Sequence, residues 1–202
     1  MVVVVIITAL SALAIPSIVR QMRDRRTRQA AEEIAAIYRN ARLRALGRGA
    51  AVMVRYASNA GFQVREAVLG GGSTCATLPV TSCGNAIWDQ NANIANGTQQ
   101  VTTFNPTTGV YDGVTIAALV GDPSVGGGSA TLTTASVTAF DLCFTPMGQA
   151  LYRITAGATD PLFPMTGVPV VTVKRITSGA QEGLQRVVVI PPNGLARTDV
   201  SQ

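Results

Sequence analysis

The side chains that most often carry catalysis or bind metals are scarce in this chain of 202 residues. Histidine is absent, and the three cysteines, Cys75, Cys83 and Cys143, form no Cys-x-x-Cys motif. These absences exclude the commonest general base, most zinc and copper sites, and the usual serine or cysteine triads. We therefore expect no cofactor, no metal site and no enzymatic activity.

The acidic residues beyond the first quarter of the chain show neither a calcium-loop spacing nor a sign of a catalytic carboxylate pair. Turn and strand-edge positions are the favoured interpretation, because an aspartate there hydrogen-bonds to nearby backbone. The glycine-rich segment 124–128 lacks the Lys and Ser/Thr of a phosphate-binding loop, which predicts a linker. The five isolated aspartates to which this applies are Asp89, Asp112, Asp122, Asp141 and Asp160.

Two of the cysteines indicate a covalent link. Cys75 and Cys83 lie close together in a segment rich in Gly, Ser and Thr. In an oxidising compartment they can close a short disulfide loop. The alternative is three free thiols, and the sequence leaves both interpretations open.

The positive charge of the chain is concentrated at its start. The net charge is +5, but residues 1–48 hold nine Arg against three acidic residues, whereas residues 49–202 hold seven basic against eight acidic residues. A general nucleic-acid binder carries its charge on the folded body. The distribution therefore excludes that class and assigns the surplus to the N-terminal element.

That N-terminal element is predicted to be one long helix with two different halves. Residues 1–19 carry no charge and extend about 28 Å as a helix, close to the hydrocarbon thickness of a membrane, about 30 Å. No basic region precedes them, which disfavours the alternative of a cleavable signal peptide. Pro16 removes one backbone hydrogen bond, so we expect a kink or a locally melted turn there. We predict a transmembrane half at 1–19.

The second half of the helix, residues 20–47, is predicted to be amphipathic. Its polar face is filled by Arg, Gln and Glu, and glycines at 47 and 49 signal its end. One apolar face repeats at helical spacing through Ala30, Ile34, Ile37, Ala41 and Ala45, and Ala31 and Tyr38 widen it.

Beyond this helix the apolar period changes from 3.6 to two, which is typical of strands. Residues 52–56 and 62–64 alternate around an Asn-Ala-Gly turn and predict a hairpin. Residues 68–97 are expected to form a long loop with a short strand. Further strands are expected at 100–104, 109–119, 130–145, 150–154, 168–176 and 185–190. The predicted fold class is α+β, with the helix packed on an antiparallel β-sheet domain at 48–202.

Two late segments share one plan, in which an apolar strand runs into proline and a glycine follows shortly after. The first has Phe-Thr-Pro-Met-Gly at 144–148, and the second has Pro-Pro-Asn-Gly at 191–194. Proline ends a strand ladder because it lacks a donor, and Asn-Gly allows the positive φ of a reversal. Both segments therefore predict a strand, a tight turn and a return.

The apolar opening that ends in Ala-Ile-Pro-Ser at 14–17 resembles the N-terminal helix of type IV pilins and type II secretion pseudopilins. The Ala-Arg-Leu-Arg-Ala stretch at 41–45 and the two late strand-turn segments are similar to the GspH/FimT branch. The resemblance implies a minor pseudopilin or minor pilin. It would be single-pass in the bacterial inner membrane, with a periplasmic head, and incorporated in a periplasmic or surface filament.

The resemblance also implies partners. They are other pilin or pseudopilin subunits, bound through the N-terminal helix, the prepilin peptidase, and an inner-membrane assembly platform with its ATPase. The peptidase site of this family has a glutamate that, aligned on Pro16, would lie upstream of Met1. We therefore expect the leader and its cleavage site to lie upstream of this sequence.

Three alternatives stay open. Arginines that follow an apolar run would place the body in the cytoplasm by the positive-inside rule, the reverse of what the resemblance implies. A membrane-anchored β-domain unrelated to filaments, such as an adhesin, is the second alternative. Some FimT-like proteins bind DNA for natural transformation, and a solvated strand edge is the competing interpretation of the candidate contacts here: Lys174, Arg175, Arg186 and Arg197.

Overall fold

The computed structural model describes residues 2–69, 79–84, 86–119, 137–154, 162–165 and 168–201. Within this part of the chain, side chains are described from residue 18 onward, except those of 20, 163 and 201. Four expectations of the sequence fall outside the described residues: Cys75, Asp122, Asp160 and the linker 124–128. The fold is a helix on antiparallel sheets, which confirms the α+β class.

The first element is α1, Val2–Arg48, an unbroken helix of 47 residues. At 1.5 Å per residue it is about 70 Å long. The helix runs through Pro16 without interruption, so the locally melted turn is absent, and the kink stays a prediction. Gly49 follows with a φ of 66°, the left-handed conformation that commonly ends a helix. Among the described residues, no helical segment is both long and apolar enough to cross a membrane.

One face of α1 packs on the sheets, and it is the predicted face. Alanine is the commonest residue there, and its small side chain lets the helix lie close to the strands. Apart from Thr27 the buried residues are apolar. The buried positions are Thr27, Ala30, Ala31, Ile34, Ala35, Ile37, Tyr38, Ala41 and Ala45.

The larger sheet has six antiparallel strands in the order β3-β2-β1-β5-β6-β7. The predicted hairpin is present, with Ala57 opposite Gly61. In its described part, the loop 68–97 holds two 3₁₀ turns, Ala86–Asp89 and Ile94–Asn96, and no strand. The strands are β1 Val52–Ala57, β2 Gly61–Ala67, β3 Thr98–Phe104, β5 Ala139–Phe144, β6 Ala150–Arg153 and β7 Phe163–Pro164.

The smaller sheet has four antiparallel strands in the order β10-β9-β8-β4. They are β4 Val114–Leu119, β8 Val170–Thr177, β9 Ala180–Val189 and β10 Arg197–Ser201. The predicted strand 109–119 begins with a 3₁₀ turn, Gly109–Tyr111, and only its second part pairs, with β8. The antiparallel sheet expected from the sequence is thus divided into two, and α1 contacts strands of both.

The main core lies between α1 and the two sheets, and aromatic rings fill its centre. Tyr38 meets Phe62 edge-on, with ring centroids 6.1 Å apart. Tyr56 lies between Phe62 and Phe140, at 4.9 and 5.5 Å. Val188 and other valines of the smaller sheet join the same cluster. One continuous core therefore holds the helix and both sheets together.

A second, smaller core covers the opposite face of the six-stranded sheet. Met53 and Cys143 alternate along their strands with residues that face α1, so they point away from the helix. They pack with Cys83 and with Trp88, the only tryptophan of the chain. The six-stranded sheet is therefore covered by α1 on one face and by the 3₁₀ turn Ala86–Asp89 and its neighbours on the other.

A disulfide joins Cys83 to Cys143, 60 residues further along the chain. The expected bridge between Cys75 and Cys83 is therefore wrong, because Cys83 is already bonded. The observed link attaches the loop before Trp88 to the middle of the six-stranded sheet. Closing a loop of this length in the unfolded chain stabilises the folded state by about 4 kcal/mol in the chain-entropy account.

We predict that Tyr38→Phe does not weaken the fold. The Tyr38 hydroxyl is buried without a hydrogen-bond partner among the described residues, and burial raises the pKa of Tyr38 well above its usual value. Removing the hydroxyl should leave the free energy of unfolding unchanged or raise it by up to about 2 kcal/mol. Urea unfolding of the detergent-solubilised chain, followed by Trp88 fluorescence, measures the change.

The matched control is Tyr38→Leu, which also removes the ring that meets Phe62. It should lower the free energy of unfolding by about 2 kcal/mol. A loss of similar size in Tyr38→Phe would contradict the prediction and would indicate a partner for the hydroxyl.

Candidate functional site

A buried ionic cluster of Arg55, Asp141, Arg153 and Asp89 lies on the face of the six-stranded sheet that points away from α1. Both Asp141 oxygens accept hydrogen bonds from Arg55, at 2.8 and 2.9 Å, and Arg153 Nε donates to Oδ2 at 2.8 Å. Arg153 also donates to Asp89 at 2.7 Å. The Asp141 side chain is fully buried. Two guanidinium groups and two carboxylates thus neutralise one another inside the domain.

Strand register assembles this cluster. Asp141 on β5 lies directly opposite Arg55 on β1 and Arg153 on β6, so the three side chains share one rung of the sheet. The loop around Trp88 covers them, and the backbone carbonyl oxygen of Trp88 accepts a hydrogen bond from Arg55 at 2.9 Å. The expectation that Asp141 occupies a turn or a strand edge is wrong, because β5 is a central strand.

The Asp141 carboxylate of the buried ionic cluster is fully engaged in hydrogen bonds. Both oxygens of Asp141 accept guanidinium hydrogens, and arginine does not lose its proton in proteins. The neighbouring Arg65 donates to the Gln90 carbonyl at 3.0 Å, and burial, followed by the charge of Arg55, lowers the pKa of Arg65. The described residues also contain no cluster of three or more side chains that could hold a metal ion. The cluster therefore acts as a cross-link between strands.

A second set of charges, the ionic seam, joins α1 to the smaller sheet. Arg23 donates to both carboxylate oxygens of Glu182 on β9, at 2.8 and 2.9 Å. Asp24 accepts from Arg186 of the same strand at 3.2 Å, and Arg175 on β8 lies 3.9 Å from Glu182. These contacts attach α1 to the β-sheet domain, which we call the head. They lie just before Thr27, where the buried face of the helix begins.

A third set of charges holds the last turns of α1. Arg44 donates to Glu66 at 2.8 and 3.0 Å, and Arg48 donates to the other oxygen at 2.6 Å. The Glu66 side chain is only 2% exposed, so its negative charge is neutralised almost entirely by these two arginines. The basic character of the helix, obvious in the sequence, is therefore partly used to attach the helix to the head.

The four candidate DNA contacts do not form one surface. Arg175 and Arg186 face α1 and belong to the ionic seam. Lys174 follows the buried Val173, and Arg197 pairs with Val189 beside the buried Val188, so both point to the opposite face of the sheet. Two of the four are thus engaged inside the head, and the other two are on the far side. No local pattern indicated their acidic partners, Asp24 of α1 and Glu182 of β9.

The two late strand-turn segments meet at the end of α1. A side chain at Gly194, where φ is 68°, would place Cβ 2.6 Å from Arg42 Cδ and 2.8 Å from the Phe144 ring. Gly148 of the first turn lies against Leu46. Around this junction four apolar side chains are exposed, which we call the apical patch: Leu43, Leu46, Met147 and Leu195.

The apical patch presents large apolar side chains to solvent, and its Met147 is 87% exposed. No family model, curated protein or solved structure matches this chain. Function must therefore be inferred from the residues themselves. The described residues offer an exposed apolar patch suited to association.

We predict that Asp141→Asn strongly destabilises the head. The substitution leaves two buried guanidinium groups facing a neutral amide, and breaking a buried ion pair typically costs about 3–5 kcal/mol. Asp112→Asn, in an exposed turn, is the matched control and should change the free energy of unfolding by less than about 0.5 kcal/mol. Urea unfolding followed by Trp88 fluorescence compares them. Equal effects in the two variants would contradict the structural role of the cluster.

We also predict that acid weakens the ionic seam through Glu182. The hydrogen bond from Arg23, followed by that from Thr177, lowers the pKa of Glu182. A depressed carboxyl pKa stabilises the fold above the unfolded value, about pH 4.3, and this stability is lost as pH falls through the lower folded value. An NMR titration of the Glu182 carboxyl should show a midpoint below about pH 4.3.

The variant Thr177→Val removes one of the two donors and should move that midpoint upward. Glu182→Gln should remove this part of the pH dependence of unfolding altogether. A midpoint unchanged by Thr177→Val would contradict the assignment of the hydrogen bond as a cause.

Proposed function

We propose that the chain is a minor pseudopilin or minor pilin, a structural subunit for assembly of a type II secretion pseudopilus or a type IV pilus. The observation that carries the proposal is the single helix Val2–Arg48, whose described buried side chains all lie between Thr27 and Ala45. N-terminal to them, residues 2–19 form an uncharged stretch of the same helix. A head with a long apolar helical extension is suited to two successive states. The extension first anchors the chain in a membrane, and it later packs with the helices of other subunits in a filament.

The dimensions of α1 support this division. The first described ion pair between α1 and the head is made by Arg23, so about 32 Å of helix, from residue 2 to residue 22, precede the ionic seam. That length compares with a hydrocarbon core of about 30 Å. The small residues Ala9, Ser11, Ala12 and Ala14 in this stretch favour close approach of neighbouring helices. In the proposal, lipid contacts are exchanged for contacts with the helices of other subunits.

The disulfide supports a periplasmic head. Structural disulfides persist in oxidising compartments such as the bacterial periplasm and are rare in the cytosol. The link between Cys83 and Cys143 therefore favours single-pass insertion in the inner membrane with the head outside the cytoplasm. It counts against the cytoplasmic head that the arginines alone would indicate.

The proposal assigns the partners as follows. Other pilin or pseudopilin subunits bind through the apolar half of α1, and the apical patch offers a second contact between heads. The prepilin peptidase and an assembly platform act on the membrane-anchored form. The folded head is the part of the subunit that a filament exposes. Its function therefore requires surfaces that bind other molecules more than it requires a catalytic site.

We predict that a charge in the apolar half abolishes both membrane retention and subunit contact. A photo-crosslinking amino acid at Ser11 should give adducts with pilin-like subunits in cells that make the filament. Ala12→Asp should remove these adducts and release the chain from membranes, because an aspartate at mid-bilayer costs about 3 kcal/mol. Gln29→Asp, on the exposed face beside the head, is the matched control and should change neither result.

Trp88 fluorescence and the intact disulfide verify that both variants keep a folded head. A chain that is fully extracted from membranes without detergent, or that gives no adduct at Ser11, would overturn the proposed function.

A further inference from the structure

We propose that α1 binds anionic phospholipid headgroups through its solvent face, just beyond its apolar half. The face consists of Ile18, Met22, Arg25 and the half-buried Arg26, which we call the headgroup face. The inference rests on the proposed membrane anchor and adds the lipid class that the anchor prefers. The ligand chemistry is a phosphate with a net negative charge, and its source is the membrane surface.

The headgroup face has the composition of a membrane interface. Residues 18, 22, 25 and 26 follow helical spacing on the side away from Arg23 and Thr27, which face the head. Ile18 is 55% exposed and Met22 52%. Exposed apolar side chains such as these are unfavourable in water. At a lipid surface they are favourable, because the apolar groups enter the acyl boundary and the cations meet phosphates.

The cations of the headgroup face are unpaired, unlike their neighbours. Arg23 is neutralised by Glu182, and Arg28 by Glu32. Arg25 and Arg26 form no ion pair with any described residue, although Asp24 is adjacent in sequence, because its carboxylate turns to the sheet. The next acids along α1, Glu32 and Glu33, lie seven residues beyond Arg25 and Arg26 respectively, about 10 Å along the helix axis. Two positive charges are therefore available to an external anion.

The position along the helix also suits a headgroup. Arg25 lies six residues past the end of the apolar stretch, about 9 Å along the axis. Helical side chains tilt toward the N-terminus, so both arginines lean back toward the membrane. Each polar layer of a bilayer extends about 5–8 Å beyond the hydrocarbon core. Long arginine side chains readily cover the small remaining distance.

A groove beside the headgroup face is a candidate binding site for such a lipid. It has a volume of about 440 Å³ and runs between α1 and β9, with Gln21, Asp24, Arg25, Gly183 and Leu184 as its walls. Leu184 is 50% exposed and lines the same groove as Arg25. A guanidinium on one wall and an apolar side chain on the other match a phosphate joined to a glycerol backbone.

The test compares lipid selectivity of the full chain reconstituted in vesicles. Spin-labelled phosphatidylglycerol and phosphatidylcholine are each added, and electron paramagnetic resonance measures the fraction immobilised by the protein. We expect a preference for phosphatidylglycerol of up to about fivefold for each arginine at low salt, which weakens at high salt. Arg25→Gln/Arg26→Gln should abolish the preference.

The matched control is Arg39→Gln, an exposed arginine of the same helix about 21 Å further from the membrane. It should keep the wild-type preference. Equal immobilisation of both lipids by the wild-type chain, or an equal loss in Arg39→Gln, would overturn the lipid site. Flotation with phosphatidylcholine vesicles distinguishes the loss of lipid selectivity from the loss of membrane anchoring. A chain that floats without selectivity keeps its anchor, and a chain that does not float with any vesicle loses both.

Discussion

The burial of one alanine-rich face of α1 against two sheets is the interaction on which the rest of this structure depends. Each sheet has an apolar inner face, with Phe62 and Phe140 on the larger and Val171 and Val188 on the smaller. The helix covers both, because the small side chains at its buried positions let the strands approach closely. Without α1, two apolar sheet faces would be exposed to water at a cost proportional to their area.

An alanine face has little directional specificity, so the charges at the two ends of the buried stretch have a separate role. Arg23 and Asp24 meet β9 at one end, whereas Arg44 and Arg48 meet Glu66 of β2 at the other. Hydrogen bonds between ionised groups are geometrically demanding. They restrict rotation and sliding of the helix, which burial alone permits at small cost. The helix is thus held by apolar area and positioned by ion pairs.

The periodicity of apolar residues predicted those structural elements that interactions between nearby residues determine. The 3.6 spacing from Ala30 to Ala45 gave the buried helix face, and alternation gave the first hairpin. The disulfide and the buried ionic cluster escaped prediction, because Cys83 and Cys143 are 60 residues apart, and Arg55 and Asp141 are 86 apart. Such partners are chosen by strand order and register. No short-range pattern encodes these, and the division into two sheets was missed for the same reason.

Under the proposed function, the arginines of α1 must serve two environments, the membrane and the filament. Arg23 and Arg28 are bound to carboxylates of this chain, so they contribute the same interactions in a membrane or in a filament. Arg25 and Arg26 depend on what lies outside. If phosphates satisfy them in the membrane, extraction into a filament removes those acceptors, and carboxylates of neighbouring subunits must replace them to avoid an uncompensated loss. In the proposed function, exposed acids such as Glu33 and Asp199 are available for that exchange, which would couple assembly to release from lipid.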